Sequence, residues 1–332
     1  MCLKLATKVG PTIFFGKYQK LNGAEEILVK KVGDGSIIER FAKIPVPRSS
    51  VDIVCPTFLE LRWAYGCPFH CSYCYLQGTL RFLPTEKQPR SKSESKVKSH
   101  LLTFLTNVAS NMREILNTGE LADSLMFEGT KKALSQVVLP LFESCNPYGH
   151  KVLILTKSNK IDQLLKMQLQ KNAIVSFSIN TESVANRWEK GTAPPKDRIK
   201  AALKLFEEGY EVRIRIDPII PYPENNWRLE YLELIDEIFG SLIPERVTIG
   251  SLRGLQTTIN HASDTSWLKY LEENSKWGKR VSSKTRLQMY SSIIEYLRKR
   301  YYYEKVALCK EPVFIWQELQ LDWRNCRCNC VW

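Results

Sequence analysis

Along most of the chain, short apolar runs alternate with longer stretches in which apolar residues recur every three or four positions. The short runs fall at Phe58–Trp63, Glu114–Leu116, Lys151–Leu155, Ile174–Ile179, Glu211–Ile216 and Arg246–Ile249, and they predict strands. Helical spacing fills 131–143, 160–170, 197–208 and 228–239; Gly209 is a stop signal after Glu208, and Asn226 is placed to cap the helix that follows. Strand and helix alternating in this way predict an α/β fold with a parallel sheet and right-handed crossovers. Six such units in a curved sheet make a partial (β/α)6 TIM-like barrel, whose functional residues sit at the C-terminal ends of the strands.

The flanks read differently. Residues 1–55 carry short apolar stretches, Thr12–Phe15 and Ile27–Val29, broken by Gly10, Gly16, Gly23, Gly33 and Gly35, which predicts a small β-rich extension. The expected division is therefore 1–55 as that extension, 56–260 as the partial barrel and 261–332 as a helical, Cys-rich C-terminal segment. Residues 82–99, with Lys87, Arg90, Lys92, Lys96 and Lys98 among Ser and Pro, read as a mobile basic loop leading into a helix. Residues 281–303 form an amphipathic helix running into Tyr301–Tyr303.

Composition narrows the class. With 44% hydrophobic and 25% charged residues, the 332-residue chain is an ordinary folded protein rather than a disordered one. No apolar run is long enough to span a bilayer, and the N-terminus lacks a signal-peptide core, so no membrane partner and a cytoplasmic location are expected. Lys and Arg outnumber Asp and Glu by 48 to 35, a net charge of +13. Residues 269–305 hold ten basic against four acidic residues, interleaved with aromatics. That pattern suits a nucleic-acid groove, and equally a solvated helix face with tyrosines packed inward.

The ten cysteines carry the chemistry. Without an export signal they argue for metal or redox roles rather than a disulfide scaffold. Cys67, Cys71 and Cys74 are spaced C-x3-C-x2-C. Three thiolates so close on a loop suit three irons of a [4Fe-4S] cluster, the fourth iron staying open. Zinc is the alternative, with His70 as a fourth ligand. Cys309, Cys326, Cys328 and Cys330 are enough for a closed zinc site or a second iron–sulfur cluster, and a thiol relay or a plain structural role are the other readings. In an extended tail, Cys326, Cys328 and Cys330 share one face. Isolated Cys2, Cys55 and Cys145 read as buried, inert thiols.

The C-x3-C-x2-C loop with Tyr73 before its last cysteine resembles the radical S-adenosylmethionine (SAM) superfamily. Cys74-Tyr75-Leu76-Gln77, Phe177-Ser178-Ile179-Asn180, Gly191-Thr192-Ala193-Pro194, Arg198-Ile199 and Gly209-Tyr210 together resemble the spore photoproduct lyase branch, over about residues 58–240. The resemblance implies SAM bound at the open iron and reductively cleaved to a 5′-deoxyadenosyl radical, with an electron donor such as flavodoxin or ferredoxin. It implies that Tyr73, Tyr75, Lys157 and Ser178 contact SAM or lie near it. Glu120, after Gly119, resembles the superfamily's Gly-Gly-Glu position for the SAM amino group. Lys157 suits the SAM carboxylate, or is an ordinary surface lysine; Ser178 and Asn180 suit the ribose hydroxyls. Arg213 and Arg215, on one strand face, need anionic partners if they point inward.

One departure stands out. The lyase returns hydrogen from a cysteine in the second-strand segment, whereas residues 111–128 contain none and Glu120 stands about there. SAM is then consumed as a co-substrate, or another donor, the C-terminal thiols among the candidates, quenches the product radical. The expected activity is hydrogen abstraction from a nucleic-acid or nucleotide-like substrate. The alternatives are a radical enzyme acting on a peptide or small metabolite, and a non-catalytic, zinc-stabilised nucleic-acid binding protein.

Overall fold

The computed structural model describes residues 10–332. Cys2, Lys4 and Lys8 of the N-terminal extension lie outside the described residues. One ten-stranded sheet organises the chain, and its spatial order follows the sequence. It begins as a meander: β1 (Ile13–Gln19), β2 (Glu25–Val32), β3 (Ile38–Phe41) and β4 (Phe58–Leu61) pair antiparallel in turn. From β4 onward every pairing is parallel, through β5 (Ile115–Asn117), β6 (Lys151–Thr156), β7 (Ala173–Ser178), β8 (Glu211–Ile219), β9 (Arg246–Ser251) and β10 (Val306–Leu308).

Burial follows position in the sheet. All residues of β7 and β9 are buried, as a central parallel strand covered on both faces requires. Edge strand β1 instead leaves Phe14 and Phe15 exposed beside a bulge.

The main helices are α1 (Glu94–Asn107), α2 (Glu182–Trp188), α3 (Pro195–Glu207), α4 (Trp227–Ser241) and α5 (Ser283–Tyr301). Helix α3 starts with a proline, whose missing N–H costs nothing in the first turn, and buries Ile199, Ala201, Ala202 and Leu205. It stops where expected: Gly209 takes φ +82°, its N–H reaches Phe206 O at 3.0 Å and Tyr210 N reaches Leu205 O at 3.0 Å. Among the described residues no helix is long and apolar enough to cross a membrane.

Several expectations change. The parallel part has seven strands rather than six, because residues after α5 return as β10 beside β9; three residues behind a tyrosine run are too few to show a period. The stretch 131–143 is two helical turns, Leu134–Val137 and Leu139–Ser144, broken where Pro140 lacks the amide a continuous helix needs. Residues 160–170 keep only a 3-10 turn at Leu164–Lys166, although Ile161, Leu164 and Leu169 are buried as their spacing implied. Asn226 sits at the start of α4 but makes no side-chain cap. The basic stretch 82–99 is tied down: Lys87 Nζ donates to Phe69 O, Lys92 Nζ donates to Ser36 O, and Arg90–Ser91 pairs with Ala64–Tyr65.

Candidate active site

The loop after β4 is fastened at almost every residue. Gly66 has φ +85°, and a Cβ there would stand 2.2 Å from Gln88 O, so only glycine lets the loop pass this close to residues 87–88. Gly66 N donates to Leu121 O and Cys67 N to Lys87 O, both at 2.8 Å. His70–Cys71 pairs antiparallel with Glu189–Lys190. Ser72 N donates to Trp188 O at 2.8 Å, and Ser72 Oγ donates to Asp264 Oδ2 at 2.9 Å. Gln77 Nε2 closes the far side on Ser72 O at 2.8 Å. Cys67, Cys71 and Cys74 are therefore free thiols presented by a backbone that is already set. Burial, with nearby acidic groups and sister thiols adding to it, pushes Cys67 up, and Cys71 is pushed up to about 12.

Beneath the loop lies a buried charge node that the sequence did not reveal. Glu189 is fully buried and receives Lys157 Nζ at 2.6 Å on Oε1, with Arg198 Nη1 2.7 Å from Oε2. Tyr73 O–H also donates to Oε1. Burial alone would raise the Glu189 pKa; Lys157 and Arg198 outweigh it and hold the carboxyl at about 2. Tyr73, conversely, is held protonated by burial and by Glu189. Arg198 spends its other donors on Ala193 O, Ser178 O and Thr192 Oγ1. The same Nη1 that serves Ser178 O is also the ion-pair partner of Glu189 Oε2, which is fully buried. The only sequence cue to Glu189 was indirect: a buried tyrosine and a lysine at strand ends need a counter-charge.

Lys157, Tyr73 and Ser178 thus gather around Glu189, with Ser178 linked through its carbonyl. Asn180 is 1% exposed, and its amide is committed to Pro218 O, Tyr231 O–H and Thr181 N at 2.8–3.0 Å, which makes it a brace between strand ends. Glu120 and Tyr75 form a second group. Tyr75 O–H donates to Glu120 O, and Asn117 Nδ2 donates to Glu120 Oε1 at 3.1 Å. Gly119 is required for packing, since a Cβ there would meet Leu155 Cβ at 2.5 Å.

The arginines of β8 do point inward and find their anions within the protein. Arg215 and Arg253 share Asp217 at 2.6 and 2.9 Å, while Arg213 holds Glu211 at 2.6 Å and donates to Asn329 O and Val331 O of the tail. Of the C-terminal thiols, Cys309 lies 3.3 Å from Arg215 Nη2. Cys326, Cys328 and Cys330 are brought together by turns, not by strand parity, with Cys330 Sγ 3.7 Å from Asn117 Nδ2. Cys145 is disulfide-bonded rather than a free thiol. Among the described residues, no group of three or more His, Cys, Asp and Glu side chains is preassembled as an ion cage.

The basic 269–305 segment is half neutralised from within. Arg286 is buried against Glu311, Lys269 pairs with Glu224 at 2.7 Å, and Arg300 lies 3.2 Å from Asp236. Tyr296 and Tyr301 also donate to Asp236, Tyr303 is buried, and Tyr302 alone of the run is 90% exposed.

A family model described as spore photoproduct lyase matches residues 57–252, more than half of the chain. The spore photoproduct lyase of Bacillus subtilis is 27% identical over 186 residues, covering 54% of this chain and 50% of the relative. That of a Geobacillus strain is 28% identical over 181 residues, covering 53% and 49%. The chain spans about half the length of the curated relatives it matches. A solved spore photoproduct lyase mutant, described with bound AdoMet and dinucleoside spore photoproduct, superposes with a TM-score of 0.60 at 18% identity over 79% of each chain, a likeness of fold. With the matched region spanning β4 to β9 and the cysteine loop between, this chain belongs to the spore photoproduct lyase family of radical SAM proteins.

Proposed function

We propose that the chain is a radical SAM enzyme in which Cys67, Cys71 and Cys74 hold a [4Fe-4S] cluster. The observation that carries this is the three free thiols on a loop whose backbone is fixed independently of any metal, at the C-terminal end of the first parallel strand. The donor set fits: three thiolates on one short loop leave one iron of the cluster open. With cluster and SAM bound, the chemistry supplied is reductive cleavage of the sulfonium to methionine and a 5′-deoxyadenosyl radical.

The chain's own residues hold and shield. Glu189 holds Lys157 in place beneath the loop, its two oxygens buried against Lys157 and Arg198. Tyr73 and Tyr75 flank Cys74, Glu120 offers a second carboxylate for the SAM amino group, and Ser178 faces the ribose with Asn180 bracing it. Reducing equivalents come from a flavodoxin- or ferredoxin-type donor. The substrate is nucleic-acid or nucleotide-like, supported by the dinucleoside photoproduct in the solved relative and by the unpaired cations of 269–305. Glu120, not a cysteine, follows β5, so either SAM is consumed as a co-substrate or another donor quenches the product radical.

The partial-barrel reading of the sheet belongs to the same proposal, with the site at the strand ends. The test is 5′-deoxyadenosine formation after anaerobic reconstitution with iron and sulfide and addition of a strong reductant, with Cys74→Ala in parallel. Product from the wild type alone supports the proposal; no product from either, with zinc in the purified protein, rejects it.

A further inference from the structure

We propose that the cavity between Trp63, Lys92 and Lys132 is a binding site for a phosphate-class oxyanion, placed beside the cysteine loop on the face where the parallel strands end. None of its residues belongs to the Cys67–Cys74 loop or to the Glu189 node, so the inference stands apart from the radical reading.

Segments that follow two neighbouring strands build the cavity. Trp63 comes just after β4, Ser91 and Lys92 belong to the connection from β4 to α1, and Glu94 is the first residue of α1. Lys132 and Val137 come from the connection between β5 and β6, and the six together line about 210 Å3. The cysteine loop is adjacent: Ser91 pairs with Ala64 and Arg90 with Tyr65, and Gly66 and Cys67 follow directly. Lys92 N donates to Trp63 O at 3.0 Å, which ties two of the walls together. Pockets that take a whole drug-sized ligand run to roughly 300–1,000 Å3, so this one suits a single small group rather than a nucleoside.

The lining is a set of donors. Trp63 is 1% exposed, and its indole Nε1 is buried without a hydrogen-bond partner among the described residues. An indole N–H only donates, so the partner it lacks is an acceptor. Lys92 sends its ammonium to Ser36 O and keeps further donors; among the described residues neither Lys92 nor Lys132 is ion-paired with a carboxylate. Burial, with Arg62 and Lys96 adding to it, pushes Lys92 down to about 8, as befits an ammonium short of negative charge. The 14-residue α1 begins at the same place, and the positive end of its dipole favours an anion there. Glu94, the one carboxylate in the lining, has a side chain 57% exposed and paired with Lys98 at 2.6 Å. A tetrahedral oxyanion accepts from several donors at once, and two ammoniums, the Ser91 hydroxyl and an indole N–H supply them.

Such a group is a free phosphate or a phosphodiester of a nucleic-acid backbone, and one measurement separates the two. The full chain, labelled with 15N at tryptophan, is followed by the indole N–H signal of Trp63, identified by its loss in Trp63→Phe. Inorganic phosphate is added at constant ionic strength and, in a second series, a thymidine hexanucleotide without terminal phosphates. The signal should move and saturate. Lys92→Gln and Lys132→Gln should each weaken the response roughly fivefold or more, while Lys171→Gln, an exposed position before β7 at the opposite end of the strands, stays within about twofold. Saturation by the hexanucleotide at or below the concentration needed with phosphate assigns the backbone source; tighter response to phosphate assigns the free ion, and both uphold the site. No movement with either, or a response unchanged in either of the Lys92 and Lys132 variants, overturns it. Should Trp63→Phe misfold, equilibrium dialysis of labelled phosphate against the lysine variants gives the same decision.

Discussion

Glu189→Gln isolates the charge node beneath the cysteine loop. Lowering a carboxyl from 4.5 to about 2 corresponds to about 3 kcal/mol of stabilisation at neutral pH. Glu189 and Arg198 have no exposed side-chain surface, so solvent does not discount this figure. Removing one partner of a buried ion pair typically costs about 3–5 kcal/mol, because the remaining cations lose their compensation. The two routes agree. Glutamine keeps an acceptor for Tyr73 O–H but not the charge that Lys157 and Arg198 require.

In thermal unfolding of the full chain, with about 2 °C lost per kcal/mol for a chain this large, the variant should melt about 6–10 °C lower at pH 7. The pH dependence fixes the cause. A depressed carboxyl contributes fully above its unfolded value of 4.5 and loses that contribution as pH falls through its folded value, about 2. The gap between wild type and variant should therefore narrow as pH is lowered from 4.5 towards 2. A melting difference below about 2 °C at pH 7, or one that stays constant through that window, would refute the reasoning.

Three further outcomes are expected. Gly66→Ala places a methyl 2.2 Å from Gln88 O at a positive φ; it should lower stability by more than about 1 kcal/mol in urea unfolding and cut iron uptake on reconstitution, and normal uptake would show the loop is not held by this approach. Arg286→Met removes a fully buried guanidinium that pairs with Glu311 and, at 3.3 Å, with Glu273; a loss of about 3–5 kcal/mol is expected by the same assay, and a neutral effect would show that packing alone holds α5. Burial pushes the His150 imidazole below its usual 6.5, so the unfolded chain takes up the proton first and stability falls as pH drops from about 6.5 towards the folded value. His150→Gln should flatten that part of the stability profile, and an unchanged profile assigns the acid sensitivity elsewhere.

The strands of the parallel sheet were legible because each is a compact apolar run with both faces covered, as β7 and β9 show. The tightly spaced cysteines were legible because ligand chemistry limits loop length. What escaped were pieces whose identity depends on a distant neighbour. Three residues of β10 become a strand only by pairing with β9, and the helical spacing of 160–170 yields to burial of Ile161, Leu164 and Leu169 in turns.

The sequence by itself determined the α/β order and the spore photoproduct lyase resemblance, since periodicity and loop spacing are local properties of the chain. It also marked Arg213 and Arg215 as residues that need anions if turned inward. Only the tertiary structure decided which anions they found, that Lys157 is held by a glutamate 32 positions away, and that Arg213 reaches the backbone of the tail more than a hundred positions on. Buried charges and thiols take their partners from whatever the fold brings near, and separation along the chain carries no record of that.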